Sequence, residues 1–291
     1  MNATENKSEL RYLDRGEGRL AFGLAGDGPL VVTSPGMGDL RSTYRELSPQ
    51  LVAAGFRVAD AELRGHGDSD ATFASYGDSD TADDLIALIE HLGGPAVVVG
   101  NSMSAGSAVL VAARRPELVA GLVLVGPFVR NPPMNPLLAG LFRVMMARPW
   151  AAAVWNAYLP TLFAGHRPAD FDAYRASVSE ALRRPGRTRA FSRTTRTSHA
   201  EAEAAVGRVS APALVVMGER DPDFRDPAAE SAWIAEQFAA HAGAQVVMVP
   251  DAGHYPHAQR PEIVTPAVLA FAESVRAAGG FTGTGAEGDR A

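Results

Sequence analysis

The sequence predicts an α/β protein, a mostly parallel, doubly wound sheet with an all-helical segment inserted late in the chain. Three observations carry this. Short apolar runs rich in β-branched residues recur at Leu30–Thr33, Val97–Val99, Gly121–Val125 and Ala213–Met217. Runs that are apolar on both sides of the pleat belong to strands covered on both faces. Stretches with helical apolar spacing lie between them, as βαβ units require. From Val129 to Arg208 the rhythm stops and no strand pattern occurs.

Residues 1–9 and 279–291 read as flexible tails without apolar periodicity. Arg19–Ala25 alternates enough for an antiparallel strand, and Gly26-Asp27-Gly28-Pro29 is a turn. The buried strand Leu30–Thr33 leads into the loop Ser34-Pro35-Gly36-Met37-Gly38. A helix is expected over Thr43–Ala54, with Leu47, Leu51 and Val52 inward and Gly55 ending it. Phe56–Ala61 is the next strand, followed by the glycine-rich loop Leu63-Arg64-Gly65-His66-Gly67-Asp68-Ser69. Asp80 or Thr81 can cap a helix through His91, with Leu85, Ile86, Leu88, Ile89 and Leu92 as its apolar face. A helix over Met103–Arg114 follows the strand at Val97–Val99. Beyond the strand Gly121–Val125 the insertion divides into helices near Leu137–Arg148, Trp150–Phe163, Asp170–Arg184 and Arg187–Ser198. Pro149, the stretch 165–168 and Pro185-Gly186 separate them. The sheet resumes with strand Ala213–Met217, a helix near Pro227–His241, strand Gln245–Val249 and a last helix Pro261–Ala277. The expected domains are a core over 10–128 and 209–278 and a helical domain over 129–208.

The stretch Val97-Val98-Val99-Gly100-Asn101-Ser102-Met103-Ser104-Ala105 joins a buried strand directly to a helix, with Ser102 at the joint. So sharp a turn needs small residues two before and two after the serine, and Gly100 and Ser104 supply them. It lifts the Ser102 hydroxyl over a helix N-terminus, where backbone N–H groups meet developing negative charge. The functional reading is a nucleophile elbow, and the plain alternative is a Gly-Ser turn in a βαβ unit.

Composition narrows the function. The chain has 291 residues, 46% hydrophobic and 21% charged, with a net charge of −6 that gives no encouragement to nucleic-acid binding. No run of eighteen apolar residues occurs, so no membrane span is expected. Met1–Glu9 is polar and lacks a signal-peptide core. Without cysteine there is no disulfide framework, thiol nucleophile or thiolate metal site, and the expected location is cytoplasmic. The insertion differs in charge: between 129 and 208 stand 12 Arg and no Lys against 5 acidic residues.

A serine nucleophile needs a base, a group that orients the base, and donors for the oxyanion. Three loops at strand ends offer these. Met217–Asp223 holds Asp221, Val249–Tyr255 holds His254, and Ser34–Gly38 offers a backbone donor at Met37. With these residues, in the order Ser102, Asp221, His254, the chain resembles the α/β-hydrolase superfamily in its capped serine-hydrolase branch over residues 18–277. The Leu63–Ser69 loop is similar to the family's Arg-Gly-x-Gly-x-Ser loop, and the insertion stands where the family places its cap, after the sixth strand.

The resemblance implies that Ser102 attacks, His254 moves the proton, Asp221 orients the imidazole, and the Met37 and Met103 N–H groups receive the oxyanion. It implies no metal and no cofactor. Two positions depart from the family pattern. Ser104 stands where Gly is usual, which brings an extra hydroxyl near the nucleophile, and Pro35-Gly36 replaces His-Gly. Asp223 is the rival acid in the same loop, and Gly126–Asn131, where some relatives keep theirs, holds no carboxylate. His257 is the rival base, with the start of the last helix or a solvent-facing place as its plain reading. His66 is read as structural, ordering its loop through backbone hydrogen bonds.

Most of the insertion's aromatic residues form its own core. The residues singled out for a substrate pocket are Gly36, Phe128, Met134, Met145, Trp155, Tyr158 and Tyr255. Arg183, Arg184, Arg187, Arg189, Arg193 and Arg196 read as a solvated helix face, with steering of acidic substrates or docking as the sharper alternative.

A serine at the elbow points to acyl chemistry on a small-molecule ester, thioester or lactone, because the epoxide hydrolases and haloalkane dehalogenases of this fold use aspartate there. The alternatives are a carbon–carbon bond hydrolase of the meta-cleavage-product type and a non-catalytic ligand-binding relative. The former usually has two glycines after the elbow and Trp after the histidine, where this chain has Ser104-Ala105 and Tyr255. Oligomeric state is not legible in the sequence.

Overall fold

A computed structural model describes residues 8–133 and 135–282. Eight strands form one sheet: β1 (Glu9–Asp14), β2 (Arg19–Ala25), β3 (Leu30–Ser34), β4 (Arg57–Ala61), β5 (Ala96–Asn101), β6 (Val119–Val125), β7 (Ala213–Gly218) and β8 (Ala244–Val249). Their spatial order is β1-β2-β4-β3-β5-β6-β7-β8. β1 and β2 run antiparallel, and every pairing from β4 to β8 is parallel. The helices around the sheet are α1 (Leu47–Ala53), α2 (Asp78–Leu92) and α3 (Met103–Arg114) before the insertion. After it come α9 (Pro227–Phe238), α10 (Pro256–Gln259) and α11 (Pro261–Ala277). Five helices stand between β6 and β7: α4 (Pro136–Met145), α5 (Ala151–Leu162), α6 (Phe171–Arg183), α7 (Arg187–Thr194) and α8 (Ala200–Val206).

Strand residues of alternate parity feed two cores. Val32, Val98, Leu122, Leu124 and Val215 pack with residues of α2, α3, α8 and α9 on one face. Val31, Val97, Val99, Val123, Leu214 and Val216 pack with α1 and α11 on the other. A third cluster lies within the insertion, built on Trp155, Leu159, Leu162, Phe163, Phe171, Tyr174 and Phe191, and it includes Tyr255 and Ala258 from beyond β8.

Four elements differ from the sequence expectation. β1 begins at Glu9, inside the stretch read as tail; its Leu10 and Tyr12 share one face but are exposed at the sheet edge, and Leu13 packs partly on the core. The helix expected over Thr43–Ala54 is a 3-10 turn at Arg41–Tyr44 followed by the shorter α1. The short helices α8 and α10 were not legible, α10 being only four residues long.

Candidate active site

The sheet reverses its winding between β3 and β5, so the loops after these strands flank a crevice at the carboxyl edge, where open α/β sheets bind ligands. Ser102 stands there between β5 and α3, in the left-handed region at φ 58, ψ −123. A non-glycine residue persists in such a conformation only where its surroundings hold it. Here its N–H donates to the Val125 carbonyl at 2.9 Å, and its carbonyl accepts from Ala105 and Phe128 N–H groups at 3.0 and 3.2 Å. Gly100 fits beneath the turn because a Cβ there would lie 2.3 Å from the Ser104 carbonyl oxygen.

The loop after β3 closes over the serine. A Cβ on Gly36 would come within 2.8 Å of the Ser102 Cβ, so no larger residue fits without a shift. Among the described residues, neither the Met37 N–H nor the Met103 N–H donates to an acceptor in the chain outside regular helix bonding.

Two contacts hold this loop. The Ser104 hydroxyl donates to the Pro35 carbonyl at 2.6 Å and lies 2.9 Å from the Ser34 hydroxyl. The extra hydroxyl expected beside the nucleophile is engaged with the facing loop, and the two departures from the family pattern join each other. The second contact is His66. Its Nε2 accepts from the Gly38 N–H at 3.0 Å, and its Nδ1 lies 3.0 Å from the Arg64 carbonyl. A backbone N–H can only donate and a carbonyl only accept, so the proton sits on Nδ1. Burial holds this imidazole neutral, lowering its pKa to about 4 against the weaker pull of the Arg64 carbonyl. Arg64 itself is fixed by Asp84 at 2.7 Å and Asp80 at 3.0 Å.

His254 and Asp221 come from the loops after β8 and β7. His254 Nδ1 lies 2.7 Å from Asp221 Oδ2, and both residues are buried. The other Asp221 oxygen accepts from the Asp223 N–H at 3.0 Å. Burial opposes the imidazolium, but the Asp221 carboxylate, with Asp223 and Asp39 behind it, outweighs burial and raises His254 to about 9. The His254 carbonyl accepts from Asn101 Nδ2 at 3.3 Å, and a Cβ on Gly126 would lie 3.1 Å from His254 Nδ1. The loop is therefore seated against the ends of β5 and β6, next to the serine turn.

Asp223, the rival acid, is 3.8 Å from His254 Nδ1 and instead accepts from the Tyr158 hydroxyl of α5. Burial raises its pKa, and the nearby Asp221 charge adds to that against the pull of His254. Asp221, Asp223 and His254 also place ligand atoms within 4.8 Å of one another, the spacing of a metal site. Three of their carboxylate oxygens already accept from, or face, His254, the Asp223 N–H and Tyr158. The rival base His257 departs from its plain reading. It belongs to α10, is buried, stacks on Tyr44 at 4.9 Å and meets the Thr43 hydroxyl at 2.9 Å. Burial drives its pKa down to about 3.

The residues singled out for a pocket divide. Trp155 is buried, donates to the Gly38 carbonyl at 2.9 Å, and fills the space a Cβ on Gly38 would need. Phe128 packs 5.8 Å from the His254 ring, between Phe224 and His199. Tyr255 meets His254 edge-on at 5.4 Å and stacks on Phe163 at 4.7 Å. Tyr158 reaches Asp223, and Gly36 abuts Ser102. Met145 stands apart, 38% exposed on α4, and Met134 lies outside the described residues.

Contacts that sequence reasoning missed tie the insertion to the site. The His254 N–H donates to the Leu162 carbonyl at the end of α5 at 2.7 Å. Gln259 accepts from the Gly253 N–H and donates to the Ala164 and His166 carbonyls. Of the insertion's arginines, Arg184, Arg187 and Arg193 donate to carbonyls of Gly67 or Ala74 in the core. Half of that expected solvated face therefore binds core backbone.

The sequence profile of the Alpha/beta hydrolase family matches residues 30–267. A 2-(acetamidomethylene)succinate hydrolase from Mesorhizobium japonicum is 29% identical over 272 residues, which cover 91% of this chain and 95% of the relative. Human monoglyceride lipase is 26% identical over 80% of this chain and 78% of its own length. A thermophilic esterase from Thermogutta terrifontis, solved with malate bound, superposes with a TM-score of 0.73 at 24% identity, over 92% of this chain and 99% of its own. The profile spans most of the sheet and the whole helical insertion, and on that ground the chain belongs to the alpha/beta hydrolase family.

Proposed function

We propose that the chain is a serine hydrolase that cleaves a carboxylic ester, or a thioester or lactone, of a small to medium and largely apolar substrate. The observation that carries this reading is the left-handed Ser102 at the head of α3, with the buried His254–Asp221 pair seated against the same turn. His254 Nε2 takes the Ser102 proton as Oγ attacks the acyl carbon. The Met37 and Met103 N–H groups receive the oxyanion, and the imidazolium, held by Asp221, returns the proton to the leaving oxygen. Water activated by the same imidazole then releases the acid from the acyl-enzyme. Residues 129–208 act as a cap over this site, with Trp155 and Tyr158 as its inner wall. The reaction draws on no metal or organic cofactor.

A fluorophosphonate probe tests the reading directly. The expected result is one stoichiometric adduct on Ser102 in folded protein, absent in Ser102→Ala. No adduct on Ser102 would leave only a ligand-binding relative. A panel of p-nitrophenyl esters, a lactone and a dienoate carbon–carbon substrate then separates the reactions. Faster turnover of the dienoate than of every ester would replace acyl transfer with carbon–carbon cleavage.

A further inference from the structure

Of the eight large apolar side chains exposed among the described residues, five fall between 137 and 150: Leu137 at 83%, Leu141 at 53%, Val144 at 59%, Met145 at 38% and Trp150 at 48%. Leu137, Leu141, Val144 and Met145 follow the spacing of a single helix face. A helix of a globular domain turns such a face inward. α4 turns it outward while Phe142 packs against the insertion core. Asn135 caps the helix by accepting from the Leu137 N–H at 2.9 Å, and Trp150 Nε1 donates to the Val144 carbonyl at 2.7 Å. The tryptophan is thereby fixed at the end of the apolar face.

Along the chain, the charge around α4 is one-sided. From 129 to 169 the chain holds Arg130, Arg143, Arg148 and Arg167 and no acidic residue, in a protein whose net charge is −6. Arg130 is paired with Glu230, whereas Arg143 and Arg148 are exposed along and just beyond α4. An apolar helix face, a tryptophan at its end and arginines beside it make a helix that lies in a bilayer interface. A second copy of the chain fits less well. A ten-residue helix is roughly 15 Å long, and its face covers far less than the ~800 Å² per partner of a stable interface. Twofold pairing would also set the same arginines against each other.

We infer that α4 and Trp150 dock this protein on an anionic phospholipid surface. The helix lies in the interface plane, with Leu137, Leu141 and Val144 among the acyl chains and Arg143 and Arg148 at the headgroups. The docked face continues through Trp150 into α5, which carries Trp155 and Tyr158 to the candidate site. An apolar ester dissolved in the bilayer meets the insertion first.

The test is co-sedimentation of the full chain with vesicles of phosphatidylglycerol and phosphatidylcholine in equal parts, and of phosphatidylcholine alone. Binding to the anionic vesicles is expected, with partitioning about thirty-fold weaker on phosphatidylcholine, the effect of two arginines near a charged surface. Arg143→Gln with Arg148→Gln should erase that preference. Leu137→Glu with Leu141→Glu should abolish sedimentation, with the melting temperature and the turnover of a water-soluble short-chain ester unchanged. Absence of wild-type binding to anionic vesicles overturns the inference, and so does equal binding by the leucine variant. Sedimentation velocity gives a third way to overturn it: a dimer that the leucine variant dissolves, without vesicle binding, makes α4 a contact between copies. Ser102→Ala should bind vesicles as the wild type does, so this result does not depend on the hydrolase chemistry.

Discussion

Two buried histidines, in the loops after β4 and β8, differ in what their nitrogens meet. His66 lies between a backbone donor and a backbone acceptor, and burial takes it down to about 4. His254 is as deeply buried, but it faces Asp221 with Asp223 behind, and it rises to about 9. Burial pushes both rings toward neutrality. A carboxylate against Nδ1 reverses that push for one of them, and only that ring gains the proton affinity a general base needs. In the reaction proposed above, His66 would hold the Ser34–Gly38 loop that offers oxyanion donors, and His254 would move the proton.

The comparison is tested hardest on the His254 side. Ser102→Ala should lower kcat by a factor on the order of 10⁶ with the melting temperature retained. Asp221→Asn should cost about 10⁴ in kcat, because the amide leaves the imidazole in the wrong tautomer. Steady-state kinetics on a p-nitrophenyl ester read both losses. A loss of less than about tenfold for Asp221→Asn would transfer the orienting role to Asp223.

His66→Leu removes the acceptor of the Gly38 N–H and lets the loop that carries Met37 shift. The expected loss is about 10² in kcat, the cost of misplacing a catalytic group by about 1 Å. The acid limb of the kcat/KM profile should stay where it is. A shifted limb in this variant would show that the two loops share one electrostatic role.

Asp223→Asn sharpens the contrast by a smaller effect. The working base is the neutral ring, so kcat/KM rises with pH through the pKa of His254. Asp223 favours the charged ring. Removing its charge should therefore move the rising limb to lower pH with little change in the plateau. A limb that moves upward or stays fixed would remove Asp223 from the electrostatics of the base.

The least effect concerns stability. The folded pKa values of His66 and His257 lie below the unfolded value near 6.5. Each contributes stability that is full above that value and is lost as pH falls toward about 4 and about 3. His257→Gln should flatten the decline in melting temperature between pH 6.5 and pH 4. An unchanged slope would mean that His257 is not held neutral by the fold.

Much of this was legible in the sequence, for local physical reasons. Arg19–Ala25, Met103–Arg114 and Pro261–Ala277 agree with the structure at both ends because apolar period and flanking breakers coincide there. Ser102, Asp221 and His254 could be singled out because each follows a strong strand signal, and the structure brings all three to one edge of the sheet. The hydroxyl of Ser104 was legible as a residue, but its partner was not. Pairs such as Ser104 with Pro35, Tyr158 with Asp223 and His254 with Leu162 join residues that no local pattern links. β1 escaped because it is a short edge strand beside a polar terminus, where the brief alternation at Leu10 and Tyr12 carries little weight.

The bond from the His254 N–H to the Leu162 carbonyl, with Gln259 bridging to Ala164 and His166, has a consequence for engineering. The end of α5 and the histidine loop form a single mechanical unit, although they belong to different layers of the molecule. Chimaeras that exchange helical segments among relatives should keep activity only when residues 162–166 and 253–259 travel together from the same parent. Grafts cut between them would alter the aim of the base as well as the choice of substrate.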